Sequence, residues 1–151
     1  MTPPTITEPD AVRALTVWQP WADALAYLGK DIENRGRRTT YTGVLYLHAG
    51  LRTDQTAYAQ LPGREDLPGV RGAVIAVARL TGAHTDCDAS CSAWADKSAA
   101  WHWEISDAAP LATPVKATGR QGLWIPDPEL RARVGALTPS LRRSVLEGRS
   151  R

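Results

Sequence analysis

The chain has 151 residues, 43% hydrophobic and 23% charged, with a net charge of +2. That balance describes one globular domain able to bury a core and excludes a disordered or collagen-like chain. No apolar run reaches membrane-spanning length, no signal peptide is evident, and two Cys make no disulfide framework, so a cytoplasmic protein is expected.

Residues 1–12 carry three Pro and no periodicity, and read as a loose arm. Arg13–Val17 is a short strand. Pro20 suits the first turn of a helix on which Trp21, Leu25 and Leu28 recur at helical spacing, and Gly29 ends it. Trp18-Gln19-Pro20-Trp21 therefore sits at a helix N-terminus, a natural anion site. Gln19 either caps the helix or reads a base edge, and the tryptophans either pack the core or stack a base.

Lys30 follows the helix, and Asp31, Glu33 and Arg35 share one face of the next short strand, with Ile32 on the other. A lysine beside carboxylates in a dry cleft serves as a base or nucleophile; on an open surface the same set is an ion-pair cluster. Arg37 and Arg38 lie on the basic turn 36–40. Val44–Ala49 alternates, with Leu45 and Leu47 on a core face and Tyr46 and His48 on a more polar one.

Thr53–Gln60 reads as a short helix opened by Thr53, and 62–72 as a loop. Ala73–Leu80, almost wholly apolar, is the expected central strand. The stretch 84–99 is irregular and holds Trp94, expected to be exposed. His84, Cys87, Cys91 and His102 are spaced more loosely than paired zinc ligands and are interleaved with acids, so no metal is expected. Trp101–Ile105, Val115–Thr118 and Leu123–Ile125 are three further strands, the first with Trp101 and Trp103 turned to the core. Asp127-Pro128 and Thr138-Pro139 each open a helix.

Fifteen Arg against three Lys favour phosphate and carboxylate forks, or reflect genome composition. From Asp127 onward six Arg face three acids, leaving +3. Arg142 and Arg143 there, with Arg37 and Arg38, are the candidate phosphate contacts; a solvated, solubilising tail is the alternative.

Taken in order, LTVWQPW (15–21), GKDIENR (29–35), GVLYLHA (43–49), GAVIAVARL (72–80) and the Gly122-Leu123-Trp124 close resemble the ASCH domain family, small barrels related to PUA domains. The likeness covers about residues 14–125 and is nearest the Gln-Pro-Trp-type members. The resemblance implies an α+β, PUA-like β-barrel over 13–126, with an early helix, a cleft between that helix and the sheet, and short helices in a basic extension, 127–151. It also implies RNA or DNA binding. Some members are ribonucleases, and a smaller relative is an amidohydrolase on N4-acetylcytidine that uses a Lys, a nearby Thr and a Glu on a later strand. Lys30 matches that Lys, but Glu33 stands three residues on, and Ala73–Leu80 holds no Glu.

The expected function is recognition of single-stranded RNA or DNA, or of a modified nucleotide, without cofactor. Trp18, Gln19, Pro20, Trp21, Asn34, Arg35, His48 and Trp94 would bind it. A metal-independent hydrolase using Lys30 and Glu33, and a protein-interaction barrel, are the alternatives. Lys30, Glu33, Arg35 and Gln19 are expected to line one cleft.

Overall fold

The computed structural model describes residues 12–61 and 66–138. β1 (Val12–Gln19) runs into α1 (Trp21–Tyr27) at Pro20, across a cis Gln19–Pro20 bond. The helix stops as expected: Leu28 caps it, and Gly29 takes a φ of +74°, the left-handed region that glycine enters without a Cβ clash. Next come β2 (Ile32–Arg35), β3 (Gly43–Thr53) and α2 (Gln55–Gln60). β4 (Ala73–His84), β5 (Trp101–Lys116), β6 (Leu123–Trp124) and α3 (Pro128–Ala136) complete the described fold.

The six strands form one sheet in the order β2-β5-β4-β3-β1-β6, curled into a half-barrel. β1 lies parallel to β3, and every other pair is antiparallel. The parallel pair needs a crossover, which α1 and β2 supply. β4 has the interior place that its apolar run demands.

Two cores flank the sheet. Leu15, Leu45, Leu47, Leu80 and Ile105 pack with Leu25 of α1. Val44, Tyr46, Val74, Leu111 and Trp124 pack with Leu130 and Val134 of α3 on the other face. Burying each such aliphatic side chain contributes roughly 1.5–3 kcal/mol. The face of β3 expected to be polar is thus covered: Tyr46 is 6% exposed and His48 2%. The covering helix comes from the far end of the chain, where local alternation carries no trace of it.

Two boundaries also differ from expectation. Asp54, not Thr53, caps α2, its Oδ1 accepting from the Ala57 amide at 3.1 Å. Trp101–Ile105 and Val115–Lys116 belong to one sixteen-residue strand, β5. Pro110, a positive φ of 56° at Asp107 and register shifts against β4 interrupt its alternation, as β-bulges do. Asp127 caps α3 as expected, accepting from the Leu130 amide at 2.8 Å. The helix expected after Thr138, with Arg142 and Arg143, lies outside the described residues. No helix among the described residues is long and apolar enough to cross a membrane.

Candidate functional site

Of the residues singled out from the sequence, Trp18, Arg35 and His48 line one hollow and Trp21, Lys30, Glu33, Asn34 and Trp94 a second, the two meeting at an ion-pair cluster. The first is a groove of about 810 Å³ between the ends of β1 and β3 and the segment 116–122. Trp18 stands at its rim, 46% exposed, with the Arg52 guanidinium 5.4 Å from its ring centre. Arg35, Lys116 and Arg120 add positive charge, and among the described residues no carboxylate lines it. The indole face, the stacked guanidinium and the cations make a surface suited to bases and phosphates.

Its floor is a closed hydrogen-bond chain. Trp124 Nε1 donates to Thr16 Oγ1 at 3.1 Å, and Thr16 Oγ1 lies 3.1 Å from His48 Nδ1. His48 Nε2 lies 2.7 Å from the Ala117 carbonyl, which only accepts. The proton is therefore assigned to Nε2, and Nδ1 accepts from the Thr16 hydroxyl. His48 thus ties the 116–122 segment to the strands and has no ring nitrogen left for a ligand.

Burial pushes the His48 pKa below its ordinary value, more than the Ala117 hydrogen bond raises it. Above a pH of about 6.5, the unfolded value, both states hold the imidazole neutral and stability is flat in this group. Below that pH the unfolded chain takes up the proton first, so stability falls until the lower folded value is passed. Urea unfolding of wild type and His48→Gln between neutral and mildly acid pH checks this. The variant is expected to lack part of the acid slope, and equal slopes would reject the assignment.

The second hollow, about 720 Å³, lies between the end of α1 and the loop 89–97. Lys30, 4% exposed, sits at its base. Nζ donates to the Ile32 carbonyl, stands 3.8 Å from Glu33 Oε1, and lies 5.4 and 5.9 Å from the ring centres of Trp21 and Trp94. Burial pushes the Lys30 pKa down, and the carboxylates of Glu33 and Asp31 restore part of it. The other Glu33 oxygen, Oε2, accepts from Arg35 Nε at 3.1 Å, and Arg35 also donates to the Thr16 carbonyl at 3.0 Å. Glu33 and Arg35 thus form the wall between the hollows.

Gln19 enters neither. It is 1% exposed, its Nε2 donates to Asp23 Oδ1 and to the Val70 carbonyl, and its Oε1 accepts from the Asp23 amide. With both donors used inside the protein it cannot read a base, and the single cleft expected to hold it with Lys30 is corrected to two sites. Pro20 is buried too. Trp21, which packs against the core, donates from Nε1 to Asp54 Oδ2 at 3.1 Å.

Asn34 holds the loop wall, donating to the Trp94 carbonyl at 3.1 Å and accepting from the Asp96 amide at 2.8 Å. Trp94 is half-buried over Lys30 rather than exposed. Arg37 is exposed and its carbonyl accepts from Trp103 Nε1 at 2.9 Å, while the Arg38 guanidinium lies 5.8 Å from the Trp101 ring centre. Arg52, Lys116 and Arg120 were missed in the sequence. Lys116 precedes the Gly119–Gly122 turn and Arg120 lies within it, a local cue to a basic loop, whereas only the β1–β3 pairing brings Arg52 beside Trp18.

No protein-family model matches the chain, and no curated protein matches it. Among solved structures, the crystal structure of ASCH from Zymomonas mobilis matches with a TM-score of 0.57 and 14% identity, over 84% of this chain and 95% of that one. At that identity the likeness is one of fold. The half-barrel with its early and C-terminal helices is the ASCH, PUA-like fold that the residue pattern resembles.

Proposed function

Taking the ASCH-type half-barrel as the premise, we propose that the chain binds single-stranded RNA or DNA along the Trp18–Arg120 groove. The observation that carries the reading is the groove itself: among the described residues, four cations and no carboxylate line it, with an exposed indole on which a guanidinium stacks. Bases stack on Trp18 while Arg52, Lys116 and Arg120 meet phosphates. On this reading the binding surface is beside the 116–122 segment rather than in the cleft under the first helix.

Titration of labelled oligo(U) and oligo(dT) at two salt concentrations tests it. Trp18→Ala is expected to weaken binding by about 1–3 kcal/mol, the usual worth of one base–aromatic stack. Arg52→Gln with Arg120→Gln should flatten the salt slope by about 1.4, near 0.7 per phosphate contact on a single strand. Unchanged affinity and slope in these variants would remove the groove from the reading.

A second reading belongs to the other hollow: hydrolysis of nucleic acid or of an acylated nucleoside. It is favoured by Lys30, whose pKa is held down by burial with Glu33 3.8 Å away. Lys30 would act as base or nucleophile with Glu33 its partner. Turnover of RNA or N4-acetylcytidine that disappears in Lys30→Ala but survives Arg52→Gln would establish it, and no turnover in wild type would discard it.

A further inference from the structure

We propose that His84, Cys87, Cys91 and His102 bind one zinc ion that fixes the loop between β4 and β5. The four side chains each offer a ligand atom, and these atoms all lie within 4.8 Å of one another. Zinc–sulfur and zinc–nitrogen bonds of about 2.3 and 2.0 Å set tetrahedral ligand separations near 3.3–3.8 Å, so closure on a metal asks for shifts of about 1 Å or less. Cys87 Sγ and Cys91 Sγ already stand 3.1 and 3.7 Å from His102 Nδ1.

The histidines come from paired strands. His84 and His102 are directly opposite in the β4–β5 register, and their rings meet edge to face at 5.6 Å. Each has one nitrogen held by an oxygen, and in His102 the other, Nδ1, faces the sulfurs. His84 Nδ1 lies 2.7 Å from Glu104 Oε2, and His102 Nε2 lies 2.9 Å from the Asp96 carbonyl. Outer oxygen partners of this kind orient metal-binding imidazoles. The remaining nitrogen of His84, Nε2, is buried without a hydrogen-bond partner, the one such side-chain atom among the described residues. A buried polar atom left unpaired costs about 1–3 kcal/mol, and coordination would satisfy it.

The loop argues the same way. Residues 85–100 join β4 to β5 with no helix or strand. Asp86, Asp88 and Ala89, on either side of Cys87, all have positive φ, at 62°, 54° and 60°. Asp enters that region more readily than most residues, but three such positions around one cysteine mark a tightly constrained turn, and a metal held by Cys87 and Cys91 would supply such a constraint. The spacing looked too loose for zinc because two of the ligands are neighbours across a ladder rather than along the chain.

Two thiolates and two neutral imidazoles fill a tetrahedral shell, so the ion has no open position and is structural. Binding sends two thiol protons to solvent. The anchored loop is the one whose Trp94 and Asp96 wall the Lys30 hollow, held from the other side by Asn34.

The full chain, expressed without a metal-binding tag and purified reduced, is assayed for metal by elemental analysis. About one zinc per chain is expected, falling to background in Cys87→Ser/Cys91→Ser. Cobalt added to the reduced, metal-stripped wild type should give the visible bands of a tetrahedral thiolate site. That measurement stands even if the double variant fails to fold. A chelator should lower the thermal midpoint of wild type. Reduced, folded wild type with neither zinc nor a cobalt–thiolate spectrum would overturn the proposal, and so would a Cys87–Cys91 disulfide whose reduction gives no metal uptake.

Discussion

Glu33→Gln is expected to destabilise the fold by roughly 3–5 kcal/mol, the usual effect of removing one partner from a buried ion pair. In a chain of this length that lowers the thermal midpoint by about 10 °C. Glu33 is the carboxylate between Lys30 at 3.8 Å and Arg35 at 3.1 Å, with Lys30 buried to 3% side-chain exposure. Its neutral isostere leaves a buried ammonium facing two indoles and one carbonyl. Lys30→Met should cost less than half as much, because Glu33 keeps Arg35. Joining the two substitutions should recover much of the loss, since the double variant leaves no buried ammonium without its carboxylate. Thermal or urea unfolding of the three variants reads the pattern. Equal costs for the two single variants would show that Glu33 does not join the two cations.

Gly119→Ala should cost on the order of 2–5 kcal/mol, combining an overpacked contact with the loss of buried hydrogen bonds. A Cβ there would stand 2.5 Å from Thr16 Oγ1 and 2.7 Å from His48 Cε1. Neither atom is free to retreat, because Thr16 is held by Trp124 and His48 by Ala117. The 116–122 segment must lift instead, and oligonucleotide affinity should fall with stability. Gly36→Ala, whose Cβ meets nothing within 4 Å, is the control. Urea midpoints that do not differ between the two variants would mean that the floor of the groove is slack.

What was legible in the sequence was local. Pro20 and Gly29 bracket α1, Ala73–Leu80 marks the central strand, and Asp127-Pro128 starts α3, each by a rule that acts over a few residues. Lys30 and Glu33 were legible as neighbours because three residues separate them. What escaped depends on partners distant along the chain. The Tyr46 face is covered by α3, and Gln19 is consumed by Val70. β5 lost its pattern to a bulged middle. His84, Cys87, Cys91 and His102 were legible as a set, but the His84–His102 pairing exists only in the ladder register, so spacing along the chain argued against them. The groove escaped because Trp18 and Arg52 meet across a parallel pair while Lys116 and Arg120 arrive from the end of β5 and the turn after it.

The sheet's outermost strands bear on how copies of the chain behave together. At one margin is β2, four residues long; at the other is β6, two residues long. A long, flat, apolar margin recruits strands from other molecules and seeds aggregates, and short charged margins do not. β2 carries Glu33 and Arg35, and the Arg35 guanidinium reaches across the opening to the Thr16 carbonyl of β1. Strands as apolar as β4 are thereby kept three places inside the β6 margin and two inside the β2 margin. The charges that part the two hollows also guard the seam of an incompletely closed barrel, so substitutions there bear on colloidal behaviour as well as on chemistry.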